Sequence, residues 1–108
     1  MKYDRLYVIV RKDLKCSSPA VQAGHVVSKF CIESPWSRKW DNRYLIYLGV
    51  ENVNELKKLY NEFCSRNIDV TWFMEPDCVN VNDDIFTGFC GLIDKEDANF
   101  LSRLELLS

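Results

Sequence analysis

The chain predicts an α/β domain built on a partly parallel sheet with helices packed on its faces, in the order β-α-β-α-β-β-α. Three observations carry that prediction. Arg5–Arg11 and Tyr44–Val50 are short, nearly continuous apolar runs rich in β-branched and aromatic residues, as buried strands are. Each is followed by a capping residue and a helical pattern. Two more strand-like runs, Ile68–Met74 and Ile85–Leu92, then precede a last helical pattern.

Taken in order, Arg5–Arg11 reads as the central strand. Ser18 is placed to cap a first helix whose opening residue is Pro19, where a missing N–H costs nothing. That helix runs to Glu33 and is stopped by Ser34-Pro35. Ala20, Ala23, Val27 and Phe30 or Cys31 supply its apolar side, and Gly24 is expected to let the strand layer approach closely. After the second strand, Asn52 or Asn54 caps a helix through Arg66 with Leu56, Leu59, Tyr60 and Phe63 as its buried stripe. Asp94 is expected to cap a final helix through Leu104.

At 108 residues the chain matches one domain, and its 47% hydrophobic and 28% charged residues are globular proportions. No apolar run is long enough to cross a bilayer and no signal-type region precedes the first strand, which gives the expectation of a cytoplasmic protein that does not engage the membrane. Five cysteines without a CxxC pair, beside one histidine, argue against zinc. They read as reduced thiols, mostly small apolar fillers; Cys16, nearest His25 in sequence, is a minor nucleophile candidate. A net charge of −2 argues against broad nucleic-acid binding. Cations nevertheless gather as Arg5, Arg11, Lys12 and Lys15 and as Arg38, Lys39 and Arg43.

Sites in such sheets lie beyond the carboxyl ends of the strands, which points to residues 11–18 and 75–77. Gln22 and His25, with Ser18 and Lys29, are expected to form a polar stripe opposite the packing side of the first helix. An imidazole such as that of His25 is chemically suited to general acid–base work, and Gln22 could orient a substrate or the ring. Against this stands an ordinary surface histidine. Arg11, Lys12, Asp13 and Lys15 would fan around the helix N-terminus and receive a phosphate, or simply form a solvated loop. Among Glu75, Asp77, Asp83 and Asp84, one carboxylate could orient His25 or a water, the rest being turn residues. Trp36 and Trp40 could stack on a base or form a lid over the sheet.

Val8-Ile9-Val10-Arg11-Lys12-Asp13-Leu14-Lys15 and Ala20-Val21-Gln22-Ala23-Gly24-His25 together resemble the first strand and helix of the type 2 peptidyl-tRNA hydrolases. That family opens with an apolar strand, Arg-x-Asp-Leu, and a helix bearing Ala-x-Gln-x-x-His. Trp40 falls where the family has a tryptophan before its second strand, and Asp77 near the start of its second active-site segment. The resemblance implies a mixed four-stranded sheet flanked by helices, commonly dimeric. It also implies hydrolysis of the ester between peptide and tRNA without metal or organic cofactor. His25, Asp77 and Lys15 would then be catalytic, and Gln22, Arg11, Lys12, Asp13, Ser18 and Trp40 substrate-binding. The sequence departs from the family at two places. Its loop is shortened to Cys16-Ser17-Ser18, with Ser18 where a lysine is expected and only Lys15 to compensate, and Asp77 is not followed by Ala-Gly-x-Thr. These departures keep open a catalytically degenerate module that binds or sequesters a nucleotide, tRNA end or protein. A protein-binding adaptor anchored by exposed Trp36 and Trp40 is a third possibility.

Overall fold

The computed structural model describes residues 5–15, 17–76 and 86–107. Its strands are β1 (Arg5–Arg11), β2 (Tyr44–Val50), β3 (Val70–Met74), β4 (Phe86–Ile93) and β5 (Glu105–Leu106), and its helices are α1 (Pro19–Glu33) and α2 (Val53–Ser65). The sheet order is β3-β4-β1-β2-β5. Strands β1 and β2 run parallel, while β4 runs antiparallel to both β1 and β3. The carboxyl ends of β1, β2 and β3 therefore share one end of the sheet with the start of β4.

Alternation along β1 divides the core into two layers. Tyr7 and Ile9 pack with Leu56, Leu59, Phe63 and Phe89 beneath α2. Leu6, Val8 and Val10 pack with Ala23, Val26, Phe30 and Cys90 beneath α1. A central strand buried on both faces is thus the physical meaning of the continuous apolar run at Arg5–Arg11. The Ser18 hydroxyl accepts the Val21 N–H at 3.2 Å with Pro19 following, and the Asn52 side chain accepts from Glu55 N–H at 3.0 Å. Asn67, in the left-handed region at φ 61°, ends α2 as the Ile68 N–H returns to the Phe63 carbonyl.

Several expectations change. The sheet has five strands, and the segment after β4 is not a helix but two 3-10 turns, Lys95–Asp97 and Asn99–Leu101. Asp94 makes no side-chain cap there. Spacing of three residues turns Ala98 and Leu101 together into the α2-side core. The chain then pairs with the edge of β2, where Leu107 N–H donates to the Tyr47 carbonyl at 2.9 Å. On α1, Ala20 and Cys31 are exposed, whereas Val26 and Gln22 are buried. Cys64 is exposed as well, so among the described cysteines only Cys90 acts as a buried filler, its thiol pushed up by desolvation.

Gly24 faces open space; the close approach belongs to Gly88 on β4. A Cβ there would stand 2.9 Å from the Ile9 carbonyl oxygen and 3.1 Å from Val26 Cγ2. One of those neighbours is sheet backbone and the other is the buried face of α1. Gly88→Ala should therefore lose about 1–3 kcal/mol in urea denaturation, as overpacked sites do. An unchanged midpoint would mean that α1 does not lie this close to the sheet.

Candidate functional site at the carboxyl ends of the strands

A β-bulge begins the site. Phe73 pairs with Gly88 and Met74 with Phe86, leaving Thr87 as the extra residue of β4. Bulges re-aim side chains. Here Thr87, which alternation from Phe89 would point toward α2, turns its hydroxyl to the α1 side and donates to Gln22 Oε1 at 2.7 Å. The Phe73 carbonyl lies 3.3 Å from the same hydroxyl.

Gln22 is the largest correction to the expected stripe: it is fully buried on the packing side of α1 rather than opposite it. Its amide nitrogen donates to Glu75 Oε1 at 3.0 Å while its oxygen accepts from Thr87, so both ends of the side chain are engaged. That arrangement fixes which end of the amide points where. Burial of such a group is tolerable only with its partners in place. Glu75, just beyond β3, is largely buried and carries the relay outward: the same oxygen lies 4.0 Å from Nε2 of His25. His25 stands one turn further along α1, about half exposed, with its ring stacked on Phe73 at a centroid distance of 4.9 Å. The acidic partner the structure places at His25 is therefore Glu75; Asp77, Asp83, Asp84 and Cys16 lie outside the described residues.

The expected cationic fan is largely tied down. Arg11, buried at the end of β1, donates from Nε and Nη2 to the two carboxylate oxygens of Asp13 at 2.9 and 3.1 Å. Its Nη1 donates to the Phe86 carbonyl at 3.2 Å, next to Thr87. Such a two-pronged pair fixes the loop after β1 more than it offers a free cation. The Lys12 ammonium reaches Glu51 at 3.0 Å and Glu105 at 3.5 Å, and both carboxylates raise its pKa. Lys15 is exposed beside this end of the sheet, and Ser18 is occupied as the helix cap.

Trp40 does not join them. It sits before β2, at the opposite end of the sheet, about 20 Å away at the usual rise per strand residue. Its indole N–H donates to the Tyr44 carbonyl at 3.2 Å, its ring meets Phe30 edge-on, and Trp36 packs against the same layer. Both tryptophans are partly buried parts of the core, which removes the exposed anchors of the adaptor reading.

Sequence reasoning missed Thr87 as a site residue and did not single out Glu75 from its acidic neighbours. A lone hydroxyl within the apolar run Phe86–Ile93 was the available signal for Thr87. Among the described residues no cluster of three His, Cys, Asp or Glu side chains could hold a metal, and no helix is long and apolar enough to cross a membrane. The chain matches no protein-family model and no curated protein.

Proposed function

We propose that the protein hydrolyses the ester joining a peptide to tRNA, with His25 as general base. The observation that carries this reading is the relay Thr87–Gln22–Glu75, which ends at a half-exposed imidazole at the carboxyl ends of parallel strands. The Gln-x-x-His spacing resembling the type 2 peptidyl-tRNA hydrolases supports it independently. In the proposed reaction His25 takes a proton from a water that attacks the ester carbonyl. The bond from that carbon to the terminal ribose oxygen then breaks, and the ribose oxygen receives the proton. Glu75 positions the imidazole and stabilises its protonated form. Gln22 and Thr87 are positioning residues that hold Glu75.

A second reading, retention of the same ligand without turnover, is favoured by the engagement of Arg11 by Asp13 and of Lys12 by Glu51 and Glu105. These pairings leave fewer cations to grip the phosphates of a tRNA end. One assay separates the two readings: release of peptide from peptidyl-tRNA by the wild-type protein and by His25→Ala, with binding of tRNA measured in parallel. Loss of a general base should lower turnover by about 10²–10⁴-fold while melting stays unchanged. Release that does not depend on His25 would overturn the hydrolase. Saturable binding without release would establish the binding module.

A further inference from the structure

A crevice of about 1200 Å³ opens at the end of the sheet opposite His25, where β4 finishes and β1 and β2 begin. Trp36 and Phe100 wall it. Asp69, Asp94, Glu96 and Asp97 line it against a single cation, Arg66, whose guanidinium lies over the Phe100 ring at 4.0 Å. Asp69, Glu96 and Asp97 form no ion pair among the described residues. Two strands across, the turn from α1 into β2 carries the opposite charge. Its Arg38, Lys39 and Arg43 are exposed and likewise form no ion pair among the described residues. The one carboxylate of that turn, Asp41, is turned back to accept the Arg43 N–H at 3.1 Å. Tyr44 and Leu45, which start β2, are 44% and 42% exposed, and the Arg43 guanidinium stands 5.6 Å from the Tyr44 ring centre.

We infer that two copies of the chain meet at this end of the sheet, the Arg38–Arg43 turn of each seated in the acidic crevice of the other. Charge selects both the occupant and the symmetry. The crevice suits a basic, partly apolar segment, and the chain carries one at the same end, about 10 Å away across two strand spacings. A two-fold axis normal to the sheet and passing through β1 exchanges the β2 side of one copy with the β4 side of the other. Both contacts then pair opposite charges, as a closed, self-complementary interface requires. An axis lying in the sheet and across its strands would set basic turn against basic turn, which like charges oppose. Exposed ion pairs alone hold little. The energy comes from covering Tyr44, Leu45, Trp36 and Phe100, while the charges fix partner and register. The contact stands apart from the hydrolase reading, because it leaves both copies of His25 open at the outer ends of the pair.

The test is sedimentation of the full chain across micromolar concentrations at low and high salt. The wild-type protein should form a dimer whose dissociation constant rises about tenfold or more from low to high salt, since exposed charges are screened. Reversing the turn (Arg38→Glu with Lys39→Glu) or the crevice (Glu96→Lys with Asp97→Lys) changes only exposed positions. Each reversal should weaken self-association about tenfold or more with unchanged melting. Mixing the two variants restores opposite charge at both contacts and should give a heterodimer that neither forms alone. A wild-type chain that stays monomeric at high micromolar concentration and low salt would overturn the inference. So would a dimer indifferent to both reversals, or a mixture of the two variants that does not associate. Growth beyond the dimer with rising concentration would overturn it too, because a contact that does not close on itself propagates.

Discussion

Phe63→Ala should destabilise the protein by about 3–5 kcal/mol, the range for truncating a fully buried aromatic. Phe63 has no solvent exposure. Its ring meets Phe89 at 4.9 Å and Phe100 at 5.5 Å, both edge to face. It also lies over Gly91 of β4, where an added Cβ would come within 3.2 Å of Phe63 Cδ2. One side chain therefore joins α2, β4 and the 3-10 turn that carries Phe100, and the surrounding rings cannot all close on the void. A domain of this size has a total stability of about 5–15 kcal/mol, so the loss is about a fifth of it or more and should lower the urea midpoint in proportion. Phe63→Leu keeps most of the volume and should cost less than about 1.5 kcal/mol. Equal, small effects from both variants would mean that α2 packs on the sheet in some other way.

The residues that build this core were also the most legible ones. Period-2 and period-3.6 apolar patterns report directly on burial, so β1, β2, α1 and the stripe Leu56, Leu59, Tyr60 and Phe63 could be placed from sequence. The segment after β4 failed because its apolar spacing suits an α-helix and a 3-10 turn alike. What decides between them is the unpaired edge of β2, a tertiary feature that claims residues 105–107. Gln22 failed for a related reason. A polar side chain in an amphipathic helix is assigned to the solvent face by default, and only its burial between Thr87 and Glu75 reverses that. The bulge that turns Thr87 around depends on a two-against-one pairing between β3 and β4, which local sequence does not encode. His25 could be singled out because a histidine at a helix start is informative by chemistry alone; its Glu75 partner could not, being separated by fifty residues of fold.

Gln22→Met should lower stability by about 1–3 kcal/mol, because it leaves the Thr87 hydroxyl buried without its acceptor at 2.7 Å. Thr87→Val should cost a similar amount by stranding the Gln22 oxygen, with the hydroxyl's second neighbour, the Phe73 carbonyl, also losing its contact. The double variant removes both partners and should recover much of the loss, giving a coupling energy of about 1–2 kcal/mol in a double-mutant cycle. Strict additivity would mean that the two side chains are not bonded. Function should divide the variants differently. Gln22→Met frees Glu75 from its 3.0 Å bond and so loosens the carboxylate that stands against His25, whereas Thr87→Val leaves that bond in place. If Glu75 acts through the imidazole, Gln22→Met should reduce turnover by about 10-fold or more and shift its pH profile, while Thr87→Val should alter it only a few-fold. A merely structural role for the relay predicts the opposite pattern, in which two variants of equal stability show equal activity and an unmoved profile. The double variant decides between them, because a protein restored in stability yet still slow would place the defect at Glu75 and His25 rather than in the fold.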